Sequence, residues 1–184
     1  MRRLIAWNVM SLDGCFEGAS AWDLDFHGSV WGEELEEFSL KQGAEIGTLL
    51  FGRKTYEGMA RYWTGESEPG PVKDLMNSVE KAVASRGLSH AAWHNTRLLQ
   101  GEAVETVRGL KAELGNDVYV FGSAELLSSL LAAGLVDEYR ICLAPLLLGT
   151  GRPLFAAGAK RQAWSLVECR ALKSGGVILR YVRA

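Results

Sequence analysis

The stretch TLLFGRKTYEGMARYW, residues 48–63, joins an apolar run to a helical pattern through a single residue, Gly52. The next three residues are Arg53, Lys54 and Thr55. A helix that begins after a strand-ending glycine leaves its first N–H groups unpaired and carries the positive end of its dipole there, which favours an anion. The stretch therefore predicts a phosphate-binding turn. On this segment alone, a plain strand-to-helix joint with two solvated cations remains an open alternative.

The stretch DVYVFGSAELLSSLL, residues 117–131, repeats this arrangement. Gly122 and Ser123 separate an apolar strand pattern from a helix whose first turn carries Glu125. A glycine lets a ligand approach the backbone, and the helix N-terminus supplies donors for a diphosphate. Two such turns on one sheet favour a dinucleotide. Neither contains G-x-G-x-x-G, and each turn taken singly is also compatible with a structural role.

Strand and helix patterns alternate along most of the chain, and strands accumulate near its end. The run RRLIAWNVM predicts the first strand, and SVWGEELEEFSLKQG predicts a helix capped by Ser29 and ended by Gly43. The intervening segment, Ser11 to Gly28, predicts a long functional loop, and GESEPGPV predicts a second loop. Three strands close the chain, of which the last two form a hairpin. We therefore expect one α/β domain over residues 1–184, with a mostly parallel mixed sheet and antiparallel C-terminal strands.

Composition and charge restrict the class of partner. The formal net charge of -2 gives no broad electrostatic surface for nucleic acid or an anionic membrane, so phosphate contacts must be local. No apolar run approaches the length of a membrane span. Cys15, Cys142 and Cys169 are far apart and form no CxxC pair, which predicts free thiols and a cytoplasmic protein.

Four motifs carry a family resemblance: NVMSLDG, LLFGRKTYE, VYVFGSAELLSSLLAAGLVDEYRICLAPLLLGTGRPLF and the closing hairpin. Together they resemble the dihydrofolate-reductase-like superfamily, and within it the stand-alone relatives of the reductase domain of bifunctional riboflavin-biosynthesis deaminase-reductases. The resemblance covers nearly the whole chain. It implies a three-layer fold with helices on both faces of the mixed sheet, and NADPH as the cofactor.

The resemblance also implies a set of cofactor-binding positions. In the family, the first strand meets the nicotinamide carboxamide, the following loop closes over the ring, and the two strand-to-helix turns hold the adenosine phosphate and the diphosphate. A position after the next strand adds to the adenosine phosphate pocket. An arginine fork suits a phosphate dianion, which favours the phosphorylated cofactor. The matching residues here are, in that order, Ala6 and Trp7; Asp13 and Gly14; Gly52, Arg53, Lys54 and Thr55; Gly122, Ser123, Ala124, Glu125 and Leu126; and Ser85 and Arg86.

The proton donor and the substrate residues are less specifically marked. Dihydrofolate reductases place one carboxylate on the first helix, and the spacing of four from Phe38 selects Glu34 as the candidate. A solvated helix face is the alternative for this glutamate. In the long loop, Trp22 and Phe26 suit a flat or apolar substrate, or they anchor the loop to the core.

These features predict an NADPH-dependent reductase that transfers hydride to a small heterocyclic or carbonyl substrate. The alternative is an NADP-binding protein of the same fold without significant turnover. Relatives in the riboflavin-reductase group are typically dimers, which implies a homodimer. No metal is expected: His90 and His94 have a helical spacing, but no carboxylate or cysteine accompanies them. Asp137 and Glu138, at the entrance of a late strand, are expected to be structural.

Overall fold

The computed structural model describes residues 1–155 and 157–184, which contain ten strands and five α-helices. In chain order these are β1 (Leu4–Ser11), β2 (Cys15–Glu17), α1 (Glu33–Gly43), β3 (Ile46–Gly52), α2 (Arg53–Arg61), α3 (Pro71–Ser78), β4 (Glu80–Ala84), β5 (Thr96–Leu99), α4 (Ala103–Ala112), β6 (Asp117–Phe121), α5 (Ala124–Ala132), β7 (Glu138–Ala144), β8 (Arg152–Pro153), β9 (Trp164–Ala171) and β10 (Val177–Arg183). A 3₁₀ turn, Asp25–Ser29, precedes α1, and a π turn, Tyr62–Glu66, continues α2.

Eight strands form one sheet in the order β5-β4-β3-β6-β1-β7-β10-β9, and β2 pairs with β8 in a small separate ladder. The pairs from β5 to β7 are parallel, whereas β10 pairs antiparallel with both β7 and β9. The central strands are apolar on both faces, as parallel strands covered by helices must be. The predicted fold class, a mostly parallel mixed sheet with antiparallel C-terminal strands, is confirmed.

Two apolar clusters lie on opposite faces of this sheet. Along β1, Ile5 and Trp7 belong to one cluster, and Leu4 and Ala6 belong to the other, because successive strand residues point to opposite faces. The first cluster includes buried side chains of α1, α2 and α3, and the second includes those of α4 and α5. The molecule therefore has three layers, as the family resemblance implies. Within the described residues, no helix has the length and apolarity needed to cross a membrane.

Three local predictions need correction. Helix α1 begins at Glu33 after Gly32, not at Ser29, because the Ser29 hydroxyl donates to the Phe26 carbonyl inside the preceding 3₁₀ turn. The stretch GESEPGPV is a loop only at residues 67–70: a π turn covers its start, and Pro71 opens α3, where the fixed φ and missing N–H of proline are tolerated. The long loop from Ser11 is also partly ordered, since it contains β2 and the 3₁₀ turn.

A buried carboxylate joins the antiparallel half of the sheet to the parallel half. Glu138 on β7 is 1% exposed and accepts from Arg140 at 2.6 Å, from Arg180 on β10 at 3.0 Å and from Arg3 at 3.1 Å. The neighbouring Asp137 accepts from the Leu4 N–H at 2.7 Å and pairs with Lys111. Both acidic residues therefore make structural contacts at the start of β7.

We predict that Glu138→Gln destabilises the fold by about 3–5 kcal/mol, because it leaves three guanidinium groups around a neutral side chain in a buried site. Urea unfolding measures the change. Glu168→Gln is the matched control: Glu168 pairs with Arg180 at 2.7 Å, but its side chain is 36% exposed, so we expect a loss of about 1 kcal/mol or less. Equal losses for the two variants would contradict the assignment.

Candidate cofactor and substrate cleft

A cleft of about 830 Å³ opens at the carboxyl ends of the central parallel strands. Its lining includes Trp7 and Asn8 of β1, Gly52 at the end of β3, Ala84 at the end of β4 and Phe121 of β6. In open parallel sheets, ligands bind at this edge, where successive strands hand over to helices. The cleft therefore lies where both predicted phosphate turns meet.

The two turns are hydrogen-bonded to each other. The Gly52 N–H donates to the Ser123 hydroxyl at 2.9 Å, and a Cβ on Gly52 would lie 3.4 Å from that oxygen. Gly122 and Ser123 both have left-handed backbone conformations, with φ of 56° and 57°. A Cβ on Gly122 would lie 3.3 Å from the Thr55 side chain, so glycine lets the turns approach. Ser123 thus joins the two turns through its hydroxyl.

Asn8 lines the cleft and holds the second turn to β1. Its Oδ1 accepts from the Gly122 N–H at 2.9 Å, which fixes the orientation of the amide. Asn8 is only 5% exposed, yet its Nδ2 has no hydrogen-bond partner among the described residues. A buried donor without a partner costs about 1–3 kcal/mol. This vacant donor at the diphosphate turn fits a bound dinucleotide. In the sequence its only signal is one polar residue inside the apolar run of β1.

Arg53 and Lys54 line the outer part of the cleft at the start of α2. Arg53 pairs with Glu57 at 3.1 Å, and both side chains are 48% exposed, so the pair contributes little and leaves the cation available to a phosphate. Ser85 follows Ala84, which is the register partner of Gly52, but its hydroxyl accepts from the Gly87 and Leu88 N–H groups.

Arg86 is the predicted phosphate residue that the structure places least favourably. It pairs with Glu102 at 3.0 Å, and its side chain is 80% exposed. Neither Arg86 nor its neighbour Ser85 is among the residues that line the cleft. The Gly52–Thr55 turn of the predicted adenosine phosphate pocket therefore lines the cleft, whereas Ser85 and Arg86 lie outside its lining.

Asp13 and Gly14 form a fixed turn. The Asp13 carboxylate accepts from Ser11 at 2.5 Å and from the Leu148 and Gly149 N–H groups at 3.2 and 2.8 Å. These hydrogen bonds, that of Ser11 first, lower the pKa of Asp13 to about 2. Gly14 has φ of 85° and accepts from the Leu154 N–H through its carbonyl. Both residues tie β1 to the segment after β7 and lie outside the cleft lining.

The two first-strand positions differ in their access to the cleft. Trp7 lines it and packs against Phe38 of α1, with ring centroids 5.3 Å apart. Ala6 is fully buried on the opposite face of the sheet. Any contact between Ala6 and a ligand must therefore come from its backbone.

The first helix turns a different face to the cleft from the one that the sequence predicts. Leu35, Ser39 and Gln42 line it, whereas Glu34 accepts from the Lys173 N–H at 2.6 Å in the turn before β10. Adjacent residues point about 100° apart on a helix, so Leu35 occupies the direction that Glu34 was expected to take. Glu34 thus lies outside the cleft lining in this structure, a position that does not favour its predicted role as proton donor.

Of the two aromatic residues predicted to contact the substrate, only Trp22 lines the cleft. The Trp22 backbone N–H donates to the Glu17 carboxylate at 2.7 Å. Its ring packs against Gly58 of α2 so closely that a Cβ on this glycine would lie 2.4 Å from the ring. Phe26 is 8% exposed and belongs to the core cluster, outside the cleft lining. Phe26 therefore anchors the segment, which was the alternative interpretation.

Two neutral polar side chains, which sequence reasoning did not select, face the cleft beyond Trp7. His27 and Gln42 line it, and the buried His27 Nε2 and Gln42 Oε1 have no partner among the described residues. Burial lowers the pKa of His27 to about 4, so the imidazole is neutral at pH 7. Neutral atoms of this kind suit hydrogen bonds to a polar, uncharged substrate edge.

The histidine pair His90 and His94 has no helix beneath it, because both residues lie in irregular chain between β4 and β5 and are exposed. Among the described residues, no three His, Cys, Asp or Glu side chains form a group that could hold a metal ion. Cys15 and Cys142 are buried, Cys169 is exposed, and none of the three forms a disulfide.

Comparisons with known proteins agree with this architecture. Residues 2–178 match the model of the RibD C-terminal domain. The chain is 31% identical over 183 residues to the uncharacterized protein YyaP of Bacillus subtilis (strain 168), covering 98% of this chain and 94% of YyaP. Its fold is similar to that of a candidate riboflavin biosynthesis protein from Shewanella sp. PV-4, with a TM-score of 0.81, 20% identity and 99% of each chain covered. It is also similar to dihydrofolate reductase from Enterococcus faecalis, solved with NADP(H): TM-score 0.67, 16% identity, 98% of this chain and 96% of that chain.

We predict that His27→Gln flattens the acid limb of the stability profile. The folded state keeps His27 neutral down to about pH 4, whereas the unfolded chain binds that proton near pH 6.5. Wild-type stability is therefore lost as the pH falls from about 6.5 to 4, by up to about 3 kcal/mol from this group. Urea unfolding at several pH values measures the slope. The control His94→Gln, at an exposed position, should keep the wild-type slope, and an unchanged slope in His27→Gln would refute the prediction.

Proposed function

The chain belongs to the RibD C-terminal domain family, and from this premise we propose that it is an NADPH-dependent reductase acting on a small heterocyclic or carbonyl substrate. The observation that carries the proposal is the pair of strand-to-helix turns joined by the Gly52–Ser123 hydrogen bond. Beside them, the unpartnered Asn8 amide supplies a donor at the same edge. The enterococcal reductase of the same fold was solved with NADP(H), which supports a nicotinamide cofactor here.

Different residues of the cleft bind different parts of the cofactor. When bound, the cofactor supplies the hydride. Arg53 and Lys54 hold its adenosine phosphate, and the α5 N-terminus with Gly122 and Ser123 holds its diphosphate. Trp7, fixed by its packing on Phe38, forms the wall where the reacting ring and the substrate meet. Trp22, which lines the cleft and packs against Gly58, helps to exclude water from that region.

The substrate end of the cleft supports a neutral, flat substrate. The side chains that α1 and the preceding turn present there are Leu35 and the uncharged polar groups of His27, Ser39 and Gln42. Hydrogen bonds from these groups orient a heterocycle or carbonyl compound without ionising it. No α1 carboxylate is among the described residues that line the cleft, so the proton that completes the reduction comes from bound water or from another cleft carboxylate such as Glu17.

The same feature supports a second candidate, an NADP-binding protein with little turnover, because the first-helix carboxylate that dihydrofolate reductases use has no counterpart among the described residues of the cleft lining. One experiment distinguishes the two candidates. Titration of the purified protein with NADPH, followed by tryptophan fluorescence, measures binding, and loss of NADPH absorbance with a panel of heterocyclic and carbonyl compounds measures turnover. Binding with turnover supports the reductase, and binding without it supports the second candidate. Absence of binding would refute both.

We predict that Arg53→Ala lowers the affinity for NADPH by about 10- to 100-fold and the affinity for NADH much less. The variant loses one charge-assisted contact to the 2′-phosphate, worth about 1.5–3 kcal/mol. Fluorescence titration with both cofactors measures the ratio of the two affinities. Arg108→Ala on α4 is the matched control, since Arg108 also lies in an exposed intrahelical pair, with Glu105 at 3.7 Å. Equal affinity of the wild type for the two cofactors would refute the phosphate assignment.

We predict a homodimer that uses β9. This strand lies at the end of the sheet and exposes Leu166 and Val167, which are 52% and 53% exposed. Adjacent exposed apolar residues on an edge strand favour pairing with a second copy. Light scattering at micromolar concentration should give twice the monomer mass, and Leu166→Lys should lower it. A monomeric wild type would contradict the prediction.

A further inference from the structure

Arg152 of β8 places a cation directly beside the first turn of α5. Its Nη2 lies 2.6 Å from Glu125 Oε1, and its Nη1 lies 3.8 Å from Glu17 Oε2. The guanidinium is 5.9 Å from the centre of the Phe16 ring. The side chain is 40% exposed and lines the cleft together with both glutamates. The cation therefore belongs to the cleft wall.

The backbone fixes the starting point of this side chain. A Cβ on Gly151 would lie 2.7 Å from the Glu17 carbonyl oxygen and 3.1 Å from the Cys15 side chain, so β8 is pressed closely against β2. The Leu154 N–H also donates to the Gly14 carbonyl at 3.0 Å. The backbone of Arg152 is therefore fixed, and only the outer part of its side chain can change partners.

The α5 N-terminus beside Arg152 is prepared for an anion. No side chain among the described residues caps α5, because the Ser123 hydroxyl accepts from Gly52 instead. Asn8, which is 5% exposed, binds the Gly122 N–H through Oδ1, and its Nδ2 is a buried donor without a partner among the described residues. The α5 N-terminus, the Asn8 amide and the Arg152 guanidinium thus line the same cleft, and the side chain that now pairs with the guanidinium is Glu125.

We propose that Arg152 is a diphosphate-binding residue that exchanges Glu125 for the diphosphate group of the bound dinucleotide. A guanidinium binds phosphate oxygens in a bidentate geometry, which its exposed pair with Glu125 cannot match in strength. In the absence of ligand, Glu125 and Glu17 keep the cation near the site and neutralise it. This inference deepens the proposed function and rests on it for the identity of the dinucleotide.

The same cation also contacts the substrate side of the cleft. Glu17, whose Oε2 faces Arg152, accepts the Trp22 N–H through Oε1 at 2.7 Å. Glu17 is therefore shared between the Arg152 cation and the backbone of Trp22, which lines the cleft. A change in the position of Arg152 alters the charge beside the Trp22 backbone.

The test compares Arg152→Gln, Glu125→Gln and the control Arg108→Gln by calorimetric titration with four probes. NADPH and NADH both carry the diphosphate, adenosine 2′-monophosphate lacks it, and inorganic diphosphate carries nothing else. We expect Arg152→Gln to weaken NADPH and NADH about equally, by about 10- to 100-fold, and to leave adenosine 2′-monophosphate unchanged. Glu125→Gln should bind both cofactors as tightly as the wild type or up to about tenfold more tightly, because the competing carboxylate is gone.

Several outcomes would overturn the inference. They are an NADPH affinity of Arg152→Gln within twofold of the wild type, an equal loss for adenosine 2′-monophosphate, or an equal loss in Glu125→Gln, which would make the ion pair merely structural. The inorganic diphosphate arm separates this inference from the proposed function. If the wild type binds no nucleotide but binds inorganic diphosphate in an Arg152-dependent manner, the proposed function and the dinucleotide part of the inference both fail, and only a diphosphate site at Arg152 stands. If the wild type binds neither, both fail.

Discussion

Two hydrogen bonds hold the carboxyl ends of three neighbouring strands together, and the cleft depends on them. The Gly52 N–H reaches Ser123, and the Gly122 N–H reaches Asn8, so that β3, β6 and β1 end at one fixed point. The left-handed conformations of Gly122 and Ser123 turn the chain sharply enough to bring α5 to this point. Sheet pairing already places these strands side by side, and the two contacts extend that order into the turns that follow the strands.

The cleft that results has two chemically different ends. Arg53, Lys54 and Arg152 place cations near the two turns, whereas the opposite end presents neutral groups of His27 and Gln42. Burial explains the difference: the cations are on the rim, where water and exposed glutamates offset their charge, while the buried imidazole is neutral because burial lowers its pKa to about 4. A ligand charged at one end and neutral at the other fits this division, and a dinucleotide next to an uncharged substrate has that distribution.

The eight strands of the main sheet, most of the helices and both glycine turns were predictable, because each depends on a local pattern: apolar runs, helical spacing, and a glycine where the backbone turns. The short strands β2 and β8 were not predicted. The face of α1 that lines the cleft could not be predicted, because the sequence does not distinguish among four glutamates: Glu33, Glu34, Glu36 and Glu37. Contact with the β10 turn, which the sequence cannot show, directs Glu34 away from the cleft. Arg152 was missed for the same reason: 27 residues separate it from Glu125, and only the pairing of β8 with β2 brings them together. Phe26 looked available because a loop was expected where the chain forms an anchored 3₁₀ turn.

The unsatisfied groups of the cleft argue that it is organised before any ligand arrives. Asn8 Nδ2, His27 Nε2 and Gln42 Oε1 are buried without partners in the described structure, and each costs the folded state free energy that a hydrogen bond would recover. Asn8 cannot rotate to find a partner, because its Oδ1 is held by Gly122. The protein therefore keeps these atoms in place at the expense of stability. Such an expense is compensated when a ligand supplies the missing partners, since a donor already in position loses no further conformational entropy on binding.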